Sequence, residues 1–112
     1  MKIALDYDKT YTLNKPFWNK FAIDARENGF DIRIITIRNP LKDNIDDRVA
    51  DGLPIIYTDG VAKKWYCYHN AYNTEGWNPD VWIDDRPETI INNSGATREQ
   101  LAEWRASPDH DA

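Results

Sequence analysis

The stretch Asp31–Ile37, DIRIITI, carries isoleucine at 32, 34, 35 and 37. Beyond Arg33 it is apolar at both parities, so neither face of a strand here can look at water. A strand covered on both faces belongs inside a parallel sheet, whereas an antiparallel strand with one wet face would alternate. The remainder of the chain supplies the alternation that such a sheet needs. Ile3–Tyr7 reads as a first strand. Pro16 then falls in the first turn of a helix, where its missing N–H costs little. Phe17, Phe21 and Ala25 follow at helical spacing as an apolar face, with Trp18 and Ala22 beside them and Asn28-Gly29 as a stop. Asn39-Pro40 ends DIRIITI, and the polar stretch Asp43–Ala50 reads as a short helix whose charge run, Asp43 to Arg48, is a solvated face. PIIYT, Pro54–Thr58, is a third strand closed by Asp59-Gly60. Val61, Trp65, Tyr68 and Tyr72 recur at helical spacing as a core face, and VWID, Val81–Asp84, is a fourth strand. Thr97 with Gln100 forms a capping-box pattern for a last helix containing Leu101 and Trp104. Strand and helix thus alternate throughout, which predicts an α/β, three-layer sandwich around a mainly parallel, Rossmann-like sheet. One domain spans 1–106, with a frayed tail over 107–112.

The totals narrow the function. A chain of 112 residues suits one domain. The formal net charge of −5 argues against a protein that grips duplex nucleic acid through its phosphates, although a local basic groove stays open. Cys67 is the only cysteine, and His69 and His110 are the only histidines, which leaves no disulfide framework and no cysteine zinc site. The apolar runs are too short to cross a bilayer, and Asp6 interrupts any signal-peptide core. The expectation is a soluble, cytoplasmic chain with no membrane partner.

In parallel sheets, ligands sit beyond the carboxyl ends of the strands. Here those ends carry Asp6-Tyr7-Asp8-Lys9-Thr10, then Thr36-Ile37-Arg38, then a turn leading to Lys63-Lys64, and finally Asp84-Asp85-Arg86-Pro87. Taken singly, each has a bland account. Asp6 and Asp8 suit a polar turn, Asp84 can cap the helix at Pro87, and Thr36 can be a small residue in a buried strand. Taken together, four carboxylates, a hydroxyl and a lysine on one rim suit a divalent cation with a phosphate. The cation offsets the repulsion of paired acids at a buried strand end. Lys63 and Lys64 compete for the lysine role, and Lys63, in the first helical turn, is the better placed. Arg38 fits substrate contact and a surface salt bridge equally well.

LDYDKT, ITIR, AKK and WIDDRPE resemble, in order and in position, the four motifs of the haloacid dehalogenase (HAD) superfamily of aspartate-nucleophile phosphohydrolases. The resemblance covers residues 3 to 88. The double aspartate followed by Arg-Pro is similar to the phosphatase half of polynucleotide kinase/phosphatases and to double-aspartate protein phosphatases. The whole chain is similar to small HAD-like proteins of phage and bacterial origin. The resemblance implies a HAD-like fold and a Mg2+-dependent phosphomonoester hydrolase. In it, Asp6 attacks phosphorus and forms an aspartyl-phosphate, and Asp8 acts as general acid and then general base. Asp6, the backbone carbonyl of Asp8, and the Asp84/Asp85 pair hold the metal, Asp85 as the more direct ligand. Thr36 and Lys63 bind the phosphoryl oxygens, and Thr10 orients the loop with Arg38 in support. Lys9 departs from the pattern, since many relatives carry glycine there.

No space remains between the first and third motifs for the cap domain that such enzymes use on small metabolites, so the site is expected to be open. An open site fits a phosphorylated macromolecule, a nucleic-acid end or a phosphoprotein, or else a second subunit that supplies a lid; a nucleotide is the smaller candidate. A nucleic-acid substrate requires Lys9, Arg38, Lys42 and Arg86 to form a local basic rim against the acidic total. The competing function is a non-catalytic phosphate- and metal-binding regulatory module. A receiver domain is excluded, because the end of the third strand offers only Asp59 in a glycine turn. The absence of a phosphate-loop glycine signature excludes a P-loop ATPase.

Overall fold

The computed structural model describes residues 1–46, 48–50, 52–68 and 77–93. Within them lie β1 (Lys2–Leu5), a 3₁₀ turn (Tyr11–Leu13), α1 (Lys15–Glu27), β2 (Asp31–Thr36), β3 (Ile55–Tyr57), α2 (Lys63–Tyr68), β4 (Val81–Ile83) and α3 (Glu88–Ile91). The four strands form one sheet in the order β3-β2-β1-β4, and every pair is parallel. Leu5 pairs with both Ile34 and Ile83, and Ile34 with Ile55, so the carboxyl ends share one rim.

Strand parity sorts the core into two. Ile3, Leu5, Ile32 and Ile34 pack with Ala22 and Ala25 of α1 on one face, with Ile55, Tyr57 and Ile83 against them. Ala4 and Ile35 pack with Cys67 of α2 and with Trp77 on the other, beside Ile56 and Trp82. Helical material therefore covers both faces, which is why DIRIITI has no polar parity beyond Arg33. Arg33 itself lies over the Trp77 ring at 4.8 Å and forks onto Asp31, so its charge stays paired.

Three expectations need correction. No helix forms among the described residues of 43–50. Ile45, Val49 and Leu53 do recur every fourth residue, but they reach the α1-side core from irregular chain. That chain is tied down by Asn19, whose Oδ1 accepts from Ala50 N at 3.1 Å, and by Tyr57 Oη, which accepts from Ile45 N at 3.2 Å. On α1, Trp18, Phe21, Ala22 and Ala25 pack inward as expected, whereas Phe17 is 47% exposed. On α2, Trp65 and Tyr68 are 44% and 58% exposed, and the buried residues are Lys63 and Cys67. His69, Tyr72, Thr97, Gln100, Leu101, Trp104, His110 and the tail over 107–112 lie outside the described residues. No helix among the described residues is long and apolar enough to cross a membrane.

The chain runs outward from β1 through β2 to β3 and then returns to the far side of β1 for β4. The connections on either side of β1 diverge there, leaving a crevice above the carboxyl ends of β1 and β4. Open α/β sheets hold their ligands at such a switch point. The segment 6–30 contains only the 3₁₀ turn and α1, and the described residues of 37–54 contain no helix or strand.

Candidate active site

Pairing between β1 and β4 continues one residue past the strand, since Asp6 N donates to Ile83 O at 2.9 Å. The Asp6 side chain is thereby fixed at the seam. The chain then folds over itself, with Tyr11 N donating to Asp6 O at 3.3 Å and Thr12 N to Tyr7 O at 3.1 Å. This tight turn places Lys9 at φ 58°, a left-handed conformation that costs a residue with a Cβ roughly 1–2 kcal/mol. A bond from Lys9 N to Thr12 Oγ1 at 2.9 Å supports it. Glycine would meet this position without strain, yet the turn forms with lysine.

The opposite wall comes from the β3–α2 turn. Asp59 at φ 50° and Gly60 at φ 84° reverse the chain, and their N–H groups donate to the carbonyls of Arg38 and Ile37, at 3.2 and 3.0 Å. The turn is thus zipped to the end of β2 and aims Lys63 into the crevice. Lys63 is 2% exposed, and its Nζ donates to Asp6 Oδ1 at 2.9 Å and to Asp84 Oδ2 at 2.5 Å. Lys64 is exposed and points elsewhere.

Asp6, Asp84 and Asp85 each bring a carboxylate oxygen within 4.8 Å of the others. Thr10 Oγ1 links them, 3.1 Å from Asp6 Oδ2 and 3.3 Å from Asp85 Oδ1. Asp84 spends its second oxygen on Arg86 N at 2.9 Å, so Lys63 and the main chain occupy both. Asp85 is exposed at the mouth. The cleft between them is lined by both acids of the Asp6/Asp8 pair, by Lys63, by Asp84 to Arg86, and by Ile37 and Thr89.

One ammonium faces three carboxylates here, and the electrostatics follow. Burial pushes the Asp6 carboxyl up to about 8; Lys63 opposes this, while Asp84 and Asp85 add to it. Burial alone would lower Lys63, but the Asp6 and Asp84 carboxylates outweigh it and hold the ammonium above its ordinary value. A cluster of this kind takes up a proton or a cation. Its donors are all carboxylate oxygens, the set that suits a hard divalent ion.

Asp8 stands apart from that cluster. Arg38 grips it with both arms of the fork, Nε to Oδ2 at 2.8 Å and Nη2 to Oδ1. The same guanidinium lies over the Tyr7 ring at 4.9 Å and meets Asp43 Oδ1 through Nη1 at 3.5 Å. Arg38 is therefore neither a surface salt bridge nor part of an exposed basic rim, which among the expected residues leaves Lys9, Lys42 and Arg86. Asp43 is buried, so the charge run is not uniformly solvated. Its position among exposed neighbours on irregular chain gave no periodic signal. Thr36 is also buried, its Oγ1 accepting from Arg38 N at 3.3 Å, and it is not among the residues lining the cleft.

No family model, curated protein or solved structure matches this chain. The chemistry of the site therefore rests on its own geometry. It offers the Asp6 carboxylate at the base of a cleft, a buried ammonium between it and Asp84, Asp85 exposed at the mouth, and Asp8 held by an arginine.

Proposed function

We propose that this protein is a HAD-like, Mg2+-dependent phosphomonoester hydrolase that works through an aspartyl-phosphate on Asp6. The observation that carries the proposal is convergence: Asp6 from β1, Lys63 from α2, and Asp84 and Asp85 after β4 meet in one cleft at the switch point. Asp6, Asp84 and Asp85 fit a magnesium ion by donor type, and when bound it would neutralise the charge of the transferring phosphoryl group. Asp6 attacks phosphorus as the bond to the leaving oxygen breaks, and Asp8 gives that oxygen its proton. Asp8 then takes a proton from water, whose oxygen attacks phosphorus and releases phosphate from Asp6. Lys63 balances the negative charge that builds on the phosphoryl oxygens. Among the described residues, segments 6–30 and 37–54 beside the cleft carry no cap, which favours a substrate whose phosphate projects from a larger body, a nucleic-acid end or a phosphoprotein.

The test is a panel of phosphomonoesters, comprising nucleotides, 3′- and 5′-phosphorylated oligonucleotides and a phosphopeptide, each assayed with magnesium and with EDTA. Release of phosphate that EDTA abolishes is the expected result. A second reading, a phosphate- and cation-binding module without turnover, draws on the Arg38 grip on Asp8. Tight magnesium binding with no hydrolysis of any ester would select it.

The cation ligands are separable. Asp84 has both oxygens engaged inside the protein, whereas Asp85 faces the mouth. Asp85→Asn is expected to weaken magnesium binding more than Asp84→Asn, whose supporting role is worth roughly tenfold. Calorimetric titration of the two variants checks the ranking, and the reverse order would reassign the ligand.

A further inference from the structure

Asp8 cannot serve the leaving group while Arg38 holds both of its oxygens, and breaking a buried ion pair ordinarily strands a charge at high cost. Here the guanidinium has another carboxylate at hand. Asp43 is buried and lies 3.5 Å from Nη1, on the side of the fork that Asp8 does not use. Its main chain is anchored, with Asp43 N donating to Asn39 O at 2.9 Å and Ile45 N held by Tyr57 Oη. The Tyr7 ring supports the guanidinium from its face, which favours a cation staying in place. Arg38 and Asp43 thus form a unit that remains charge-paired whether or not Asp8 is attached.

Resting on the hydrolase reading above, we propose that Asp43 is a positioning residue: it is the reserve counter-ion that keeps Arg38 paired when Asp8 leaves the fork to meet the substrate. Asp43 touches neither substrate nor cation. It acts through Arg38, by lowering the cost of releasing Asp8. In Asp43→Asn the guanidinium loses the Asp43 carboxylate and holds Asp8 harder, so the variant is slow because Asp8 is retained. Removing the grip as well then restores the rate, which is the opposite of what accumulated structural damage does.

Two measurements on the full chain test this. In steady-state assays with magnesium, Asp43→Asn lowers kcat on the order of 10- to 100-fold with KM little changed, a barrier increase of one to two decades. The double variant Arg38→Gln/Asp43→Asn recovers much of that kcat. In thermal melts, Asp8→Asn lowers Tm by no more than about 3 °C in the wild-type background, because Asp43 still pairs Arg38. In the Asp43→Asn background it lowers Tm by on the order of 10 °C, because the guanidinium is then left without either acid. A folded Asp43→Asn protein with wild-type kcat overturns the proposal. So does a double variant no faster than the single one, and so do additive Tm losses. Wild-type protein inert toward every phosphomonoester counts against the hydrolase reading instead, and the melts alone then decide whether Asp43 is the reserve counter-ion.

Discussion

Asp6→Asn is expected to abolish phosphomonoester turnover, by on the order of 10⁴-fold or more, in a chain that stays folded. An amide cannot attack phosphorus, whereas it can keep a hydrogen bond to Thr10, and Lys63 retains Asp84 as its partner. The same substitution carries a stability signature with a definite sign. The Asp6 carboxyl is raised to about 8 in the folded chain, chiefly by burial. Between about pH 4 and that value the folded chain holds a proton that the unfolded chain has released. This contribution to stability is complete below the unfolded value and is lost as pH rises toward 8. In chelator-treated protein, wild type should therefore lose Tm across that window while Asp6→Asn does not. The variant should end above wild type by on the order of 5 °C at the alkaline side. Magnesium should remove the difference by giving the carboxylate cluster a cation. Hydrolysis at a tenth of the wild-type rate by pure, folded Asp6→Asn would exclude Asp6 as the nucleophile. Parallel melting curves across the pH range would exclude the burial argument.

Lys63→Met should be the most destabilising of the single substitutions at the site. The ammonium bridges two carboxylates, and its side chain is 2% exposed. Replacing it leaves the Asp84 carboxylate buried without its cation and Asp6 without that donor, at a cost of about 3–5 kcal/mol. In a domain of this size that lowers Tm by more than about 10 °C. Magnesium should return part of the loss, because a divalent ion neutralises the same oxygens. Lys64→Ala, at an exposed position of the same helix, should stay within about 0.5 kcal/mol of wild type. Melts of the two variants with and without magnesium separate these outcomes. Equal small losses would show that neither lysine is bound into the site.

The strands were legible because short isoleucine-rich runs have few other uses in a chain with these breakers. The meeting of Asp6, Lys63, Asp84 and Asp85 was legible too, since a parallel sheet delivers every carboxyl end to one rim. The inward faces of the helices were harder to read. On α1 the spacing picked out Trp18, Phe21, Ala22 and Ala25, which do pack inward, but it also counted Phe17, which is left outside. On α2, periodicity selected Trp65 and Tyr68, while the residue that turns inward most decisively is a charged one. Lys63 is buried because Asp6 and Asp84 await it, and those partners lie 57 and 21 residues away in sequence. Asp43 was illegible for a related reason. Its burial depends on Arg38 reaching across from the end of β2, and local sequence does not encode such a meeting. The strand-end rule also placed Arg38 at the rim with the other site residues, whereas its fork turns back beneath Asp8.

Among the described residues β4 is an edge strand of three residues, joined to the sheet only through β1. The candidate cation ligands straddle that joint, with Asp6 on one side and Asp84 and Asp85 on the other. An ion shared between them is a rivet across the seam. Opening β4 must then release the ion, so the free energy of local fraying rises with cation concentration. The amide of Asp6, bonded to Ile83 O, reports on that event directly. Its hydrogen exchange should slow as magnesium is added, in step with occupancy, while amides between β2 and β3 keep their rates.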